Sequence, residues 1–401
     1  MKNAAQIAET HADLQLLEGS TTFFPSLISD INSAVKSVQL ETYIFDLTAS
    51  GSDVALALER AAQRGVQVRV MVDGFGTPAF PDEWKHRFKT AGIQWLVYEP
   101  MVTLGLFLPS QWRRLHRKLC VIDNTVAYCG GINLLDDWHD PSYGTLTAPR
   151  FDFTVRVAGS LANDIQWTTS QLWGRVSSGK PMNIKRVKSA LETLPNVLKR
   201  HHWQANAQTG KALAALVLRD NITNRGHIER AYLKAIGDAH HEIIIANAYF
   251  VPGAKLRRAL VLAAKRGVKV QLLLQGKYEY FMQYHAARPI YSVLLAAGID
   301  IYEYDKSYLH AKVAVIDKVW ATVGSSNLDP LSLLLAREAN IVIQDTTFAA
   351  SLRHRLIHAM EHEGQRVNAM QIANRPWTQR INELIAFVLM RTGLWLFGKN
   401  Y

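Results

Sequence analysis

Apolar positions along the chain follow two periods. Short aliphatic and β-branched runs, at residues 39–45, 119–122, 125–129, 243–250, 313–316 and 320–323, are four to eight residues long and read as buried strands. Between them, residues 22–35 and 225–236 carry apolar side chains at helical spacing. Two further amphipathic stretches end on Gly65 and Gly267, each followed at once by an apolar strand, so the glycines read as helix C-caps. Helices and strands in alternation predict an α/β fold with a parallel or mixed sheet.

The same order of elements occurs twice. Residues 60–68 (Arg-Ala-Ala-Gln-Arg-Gly-Val-Gln-Val) resemble residues 262–270 (Leu-Ala-Ala-Lys-Arg-Gly-Val-Lys-Val). Residues 39–45 match 243–250, and residues 151–155 match 337–341, which sets Asp152 level with Glu338. The 401 residues therefore divide into two tandem domains, 1–205 (including a basic linker helix at 180–202) and 206–375, followed by an amphipathic tail at 376–401. Each domain is expected to be a mixed β-sheet flanked by helices.

Within this frame the pattern His-x-Lys-x4-Asp appears twice, as His116, Lys118 and Asp123 and as His310, Lys312 and Asp317. Each copy leads into a Gly-rich turn ending in Asn: Gly130-Gly131-Ile132-Asn133 and Gly324-Ser325-Ser326-Asn327. A single copy of so short a pattern carries little weight; two with the same trailing turn at the same offset are no accident. In an extended strand His and Lys two positions apart share a face. An imidazole beside an ammonium suits a phosphate: the ring attacks or donates a proton while the cation neutralises the non-bridging oxygens. Asp123 and Asp317 complete the catalytic motif but fall in turns across the strand, and are read as supports rather than proton carriers.

The doubled motif resembles the phospholipase D superfamily over nearly the whole chain. Residues 114–118 (Arg-Leu-His-Arg-Lys), 246–250 (Ala-Asn-Ala-Tyr-Phe) and 321–332 are similar to the bacterial cardiolipin synthases, most of all to their shorter B form. That form lacks two N-terminal membrane helices, and residues 1–22 here hold no long apolar run. The resemblance implies two phospholipase D-like domains related by a pseudo-twofold, with the active site at their interface. It also implies a two-step exchange in which His116 attacks phosphorus and His310 protonates the departing alcohol, then deprotonates the incoming one. The residues themselves leave open which histidine attacks. By the same resemblance Lys118, Lys312, Asn133, Asn327 and Ser326 hold the phosphate, while Glu338 orients His116 and Asp152 orients His310, each acid crossing from the opposite half. No metal or cofactor is required.

With 45 Lys+Arg against 34 Asp+Glu the formal charge is +11, which suits either nucleic acid or an anionic bilayer. Residues 180–202 combine basic side chains with helically spaced apolar ones, as a solvated linker helix or a lipid-surface helix would. The apolar run 101–109, with Leu106 and Phe107, leads into Trp112-Arg113-Arg114; residues 384–397, with Trp395, are too broken to span a bilayer. Leu106, Phe107, Trp112 and Trp395 are the expected membrane contacts, giving a peripheral protein on the cytoplasmic face of the bacterial inner membrane. Cys120 and Cys129 are possible cross-strand neighbours, better read as small buried residues on a reducing side. His354, His358 and His362 read as a solvated helix face, and residues 136–140 (Asp-Asp-Trp-His-Asp) as an exposed acidic loop.

These features favour phosphatidyl transfer to phosphatidylglycerol, with phosphatidylglycerol or phosphatidylethanolamine as donor and cardiolipin as product. Hydrolysis to phosphatidic acid uses the same chemistry. Cleavage of nucleic-acid phosphodiesters is disfavoured by the apolar segments and the scarcity of aromatic-plus-basic stripes; no nucleic-acid partner is expected.

Overall fold

The computed structural model describes residues 10–100, 113–140, 144–179, 212–220, 224–277, 281–329 and 336–377, with positions 381, 383–385 and 388. The first half runs β1 (Thr10–Glu18), α1 (Gly19–Ser33), β2 (Ser37–Thr42), α2 (Ser50–Gln63), β3 (Gln67–Asp73), α3 (Asp82–Ala91), β4 (Gln94–Tyr98), β5 (Arg114–Leu115), β6 (Lys118–Ile122), β7 (Val126–Gly130), the small β8 (His139–Asp140) and β9 (Gly144–Thr145), then β10 (Phe153–Gly159) and α4 (Leu161–Ser177). The second runs β11 (Ala212–Arg219), α5 (His227–Asp238), β12 (Glu242–Asn247), α6 (Ala254–Lys265), β13 (Lys269–Gln275), α7 (Phe281–Ala296), β14 (Asp300–Tyr304), β15 (Lys312–Ile316), β16 (Trp320–Gly324), β17 (Ala336–Gln344), α8 (Thr346–His362), β18 (Gly364–Arg366) and α9 (Ala369–Ala373). The doubled order of elements read from the sequence is the order of the fold.

The strands do not stop at the boundary between halves. Among the described residues sixteen strands form one sheet, ordered β18-β14-β13-β12-β15-β16-β17-β11-β1-β10-β7-β6-β2-β3-β4, with β5 pairing β17. The join is antiparallel, Thr10 to Ala12 of β1 against Ala214 to Ala212 of β11. Sequence periodicity predicts two sheets because it registers faces, not edges; unpaired edge backbone at β1 and β11 is satisfied by closing one edge on the other.

Helices α1–α3 cover one face of the first half, where Phe24, Leu27 and Leu58 pack on Val68, Val70 and Cys120. Tyr232, Leu256 and Leu260 do the same for Ile243 and Ile245 in the second. The remaining faces share a single core: Val121, Cys129 and Val155 lie in one cluster with Val313, Val323 and Ile341, roofed by Ile165 of α4 and Leu352 and Leu356 of α8. Each such large side chain contributes about 1.5–3 kcal/mol on burial, so the halves are held as one body and the strand ends between them are fixed.

The cysteines are not cross-strand partners: Cys120 faces Tyr128 and Cys129 faces Leu119. The one-residue offset turns them to opposite faces, and both are buried and free. His354, His358 and His362 are exposed on α8. The expected contacts Leu106, Phe107, Trp112 and Trp395, and the helix at 180–202, lie outside the described residues.

Candidate active site

Both histidines stand one residue pair before a buried strand, and both are tied to the other half. His116 N–H donates to the Arg337 carbonyl at 3.1 Å, and His310 N–H to the Phe151 carbonyl at 2.9 Å. Each tie places the ring beside the next residue of the facing strand. His116 Nδ1 lies 3.0 Å from Glu338 Oε1, and His310 Nδ1 lies 2.6 Å from Asp152 Oδ2. Both acids cross between halves. With Nδ1 engaged, each ring is left its Nε2 for chemistry.

Lys118 and Lys312 open β6 and β15, and each donates its ammonium to the carbonyl of the histidine two residues before. Asn133 and Asn327 are buried in the Gly-rich turns. Asn133 Oδ1 accepts the Ile44 N–H at 3.2 Å; the second turn is held by Asn247 Oδ1, which accepts the Leu328 N–H at 3.1 Å. Ser326 is fully buried and donates to the Asn327 carbonyl at 3.3 Å. Asp123 and Asp317 sit at the opposite ends of β6 and β15 from the histidines. Each begins a two-residue turn with positive φ at both positions: +50° and +61° at Asp123-Asn124, +52° and +58° at Asp317-Lys318. Each carboxylate accepts three successive backbone N–H groups, from Val35, Lys36 and Ser37 or from His240, His241 and Glu242.

Burial dominates the electrostatics. It drives the Lys118 ammonium down to about 7, against the pull of Glu338 and with the push of Lys312. It lowers His116, with Glu338 opposing, and lowers His310 well below the ordinary imidazole value, helped by Lys312 and Lys118. Each lysine's charge is thus felt by the histidine of the other half, as in one shared site. Burial raises Asp152 to about 7 against Lys312 and the Phe153 N–H. The result is a shared, cation-rich site with two imidazoles whose protonated forms burial disfavours: one can attack phosphorus, the other carry a proton.

The difference between the two Gly-rich turns, Gly131 against Ser325, is visible in the sequence, while other residues that shape the site escape sequence reasoning. Ser325 Oγ donates to Glu338 Oε2 at 2.5 Å, whereas its counterpart Gly131 has no room for a side chain: a Cβ there would lie 2.3 Å from Asp152 Oδ1. Asp73, fully buried at the end of β3, accepts the Leu115 N–H at 2.7 Å and lies 3.5 Å from Arg114 Nη1, fixing the approach to His116. Tyr43 stands with its ring centroid 4.9 Å from that of His116 and 5.4 Å from Lys118 Nζ; its place at the end of the strand preceding the motif was the available signal. Asp137, expected in an exposed loop, is 4% exposed and accepts the Ser20 N–H. Its partner lies 117 residues away, which no local pattern reveals. Among the described residues no group of three His, Cys, Asp or Glu is arranged to hold a metal ion.

Comparison with known proteins agrees with this geometry. Residues 27–140 and 232–360 match the family described as cardiolipin synthase, PLD-like domain. Cardiolipin synthase B of Shigella flexneri is 37% identical over 380 residues, covering 94% of this chain and 87% of that protein. Cardiolipin synthase A of Buchnera aphidicola is 29% identical and covers 84% of this chain and 67% of its own length. In fold, a phosphatidylserine synthase from Haemophilus influenzae superposes over 98% of this chain and 97% of its own with a TM-score of 0.68 at 11% identity. The repeated phospholipase D-like domain and the extent of the match together place this chain in the cardiolipin synthase family.

Proposed function

We propose that this chain is a cardiolipin synthase that transfers a phosphatidyl group to phosphatidylglycerol, from phosphatidylglycerol or phosphatidylethanolamine, through a phosphatidyl-histidine intermediate. The observation that carries this is the pair of crossed dyads, His116–Glu338 and His310–Asp152, facing one cleft with a lysine from each half. In this reading His116 Nε2 attacks phosphorus as His310 gives its proton to the departing headgroup oxygen. His310 then takes the proton of the incoming hydroxyl, which displaces the histidine. Lys118, Lys312, Asn133 and Asn327 stabilise the negative charge on the non-bridging oxygens, and Ser326 buttresses the second turn.

The protein works in this reading as domains 1–205 and 206–375 with a lipid-contacting tail, peripheral to the cytoplasmic face of the inner membrane. No described helix is long and apolar enough to cross a membrane. Support for the tail comes from Trp377, Ile381, Leu384, Ile385 and Val388, spaced along one helical face and 45–72% exposed, while Glu383 turns inward to Arg375 at 2.6 Å. Leu106, Phe107, Trp112 and Trp395 are assigned the same contact.

Trapping tests the chemistry. Protein denatured within a turnover of phosphate-labelled phosphatidylglycerol is expected to carry label on His116. His116→Ala should carry none, and His116→Ala and His310→Ala should each abolish transfer while His354→Ala retains it. Label on His310 alone would reverse the roles, and full activity in either catalytic variant would remove the two-histidine mechanism.

A further inference from the structure

The two ends of the cleft are built alike but charged differently. Behind His310, the Gly19 N–H donates to the Asp152 carbonyl at 3.0 Å, and the next N–H, of Ser20, donates to Asp137. Asp137 Oδ2 lies 3.2 Å from where a Gly19 Cβ would stand. Gly19 has φ of +64°, so both its backbone and its missing side chain let a second carboxylate approach the strand pair that carries Asp152. Behind His116 the strand register sets Arg219 opposite Glu338, the place Gly19 holds opposite Asp152. Arg219 is 1% exposed, with Nη1 2.5 Å from the Ala336 carbonyl. The Ser325 hydroxyl adds its donation to Glu338. One acid has an acid for a neighbour; the other has an arginine and a hydroxyl donor.

We propose that Asp137 is a positioning residue for proton transfer: its charge keeps a proton on the Asp152–His310 pair, so that this pair protonates the departing alcohol. The proposal rests on the phosphatidyl-transfer reading above. In the step concerned, the His116–phosphorus bond forms, the bond from phosphorus to the headgroup oxygen breaks, and that oxygen takes the proton from His310. Lys312 and Lys118 act against retention of that proton, as do Arg150 on the Asp137 loop and the nearby His116. Glu18 at the end of β1 is occupied by Arg355 at 2.6 Å, and Asp136 by the Trp138 N–H at 2.7 Å. Buried Glu338 and Asp73 offset Lys118 at the other end of the cleft, and Asp137 is the buried carboxylate whose charge bears on Asp152. Burial raises its own carboxyl to about 6, and its charge in turn raises Asp152.

The test is the pH dependence of kcat/KM for donor lipid in the full-length protein, with Asp137→Asn and Asp136→Asn compared. Removing the Asp137 charge lowers the proton affinity of the pair. The protonated form is then lost at lower pH, and the alkaline limb moves down by about half a unit or more. In the same variant kcat falls about tenfold with KM unchanged, while Asp136→Asn keeps the native profile. Superimposable profiles for Asp137→Asn and the native protein would overturn the proposal. Asp137→Ser, which keeps a hydroxyl acceptor for Ser20, carries the same expectation if the Asn variant fails to fold. Infrared titration of the native protein needs no variant: a protonated carboxyl band should persist toward a pH of about 7, and its loss by mildly acidic pH would also overturn the proposal. Absence of any transfer by native protein would instead retire the parent reading.

Discussion

At the scale of single residues, the two half-sites are matched in position and mismatched in chemistry. A short acid, Asp152, lies against a bare Gly131; a long acid, Glu338, takes a hydroxyl from Ser325. The pairing predicts what a symmetrising substitution does. Gly131→Ser pushes a side chain into the Asp152 carboxylate and displaces the His310 ring, lowering kcat about a hundredfold or more; Ser325→Ala keeps the geometry and costs about tenfold. Steady-state kinetics of the two variants check both. The pH profile follows from burial. Burial lowers His116, so the attacking ring stays unprotonated below the ordinary imidazole value and the acid limb lies there. Lys118 loses its proton as pH rises through about 7, so kcat/KM should fall above neutrality in the free enzyme. A profile rising through pH 8 would contradict this. The doubled motif made His116, His310 and both lysines legible in the sequence, and the internal match of residues 151–155 with 337–341 made the two acids legible. Asp137 was not, because a hydrogen bond to a residue 117 positions away leaves no local trace.

At the scale of elements, the motif aspartates hold hairpins rather than protons. Each accepts three backbone N–H groups from the segment leading into β2 or β12, so each fastens its hairpin to the neighbouring strand. The backbone N–H groups hold both carboxyls below the ordinary value, although partial burial pushes the other way. This stabilisation is therefore present above the unfolded carboxyl pKa and lost as pH falls through the lower folded one. Asp123→Ala or Asp317→Ala should cost about 2 kcal/mol of stability, read by denaturant unfolding, with KM little changed. An unaltered midpoint would deny the aspartates this role. Strands and turns here were legible because short continuous apolar runs and turn residues are local signals. The register that sets Cys120 against Tyr128 and Cys129 against Leu119 was not, since a shift of one residue leaves the sequence pattern intact.

At the scale of the whole molecule, one sheet and one core carry residues from both halves to the same cleft. Neither half alone has a complete dyad: His116 needs Glu338, and His310 needs Asp152. The joining of β1 to β11 was beyond sequence reading, because edge pairing follows from unsatisfied backbone rather than from any side-chain period. The proposed membrane association is likewise tested at this scale. Deleting residues 377–401 should abolish sedimentation with anionic liposomes while the catalytic body still melts cooperatively; unchanged sedimentation would remove the tail from the account. The most direct test of the central claim is product analysis with purified protein and labelled phosphatidylglycerol in mixed vesicles, with and without phosphatidylethanolamine. Labelled cardiolipin is the predicted product. Phosphatidic acid alone, or no turnover of any lipid, would contradict phosphatidyl transfer.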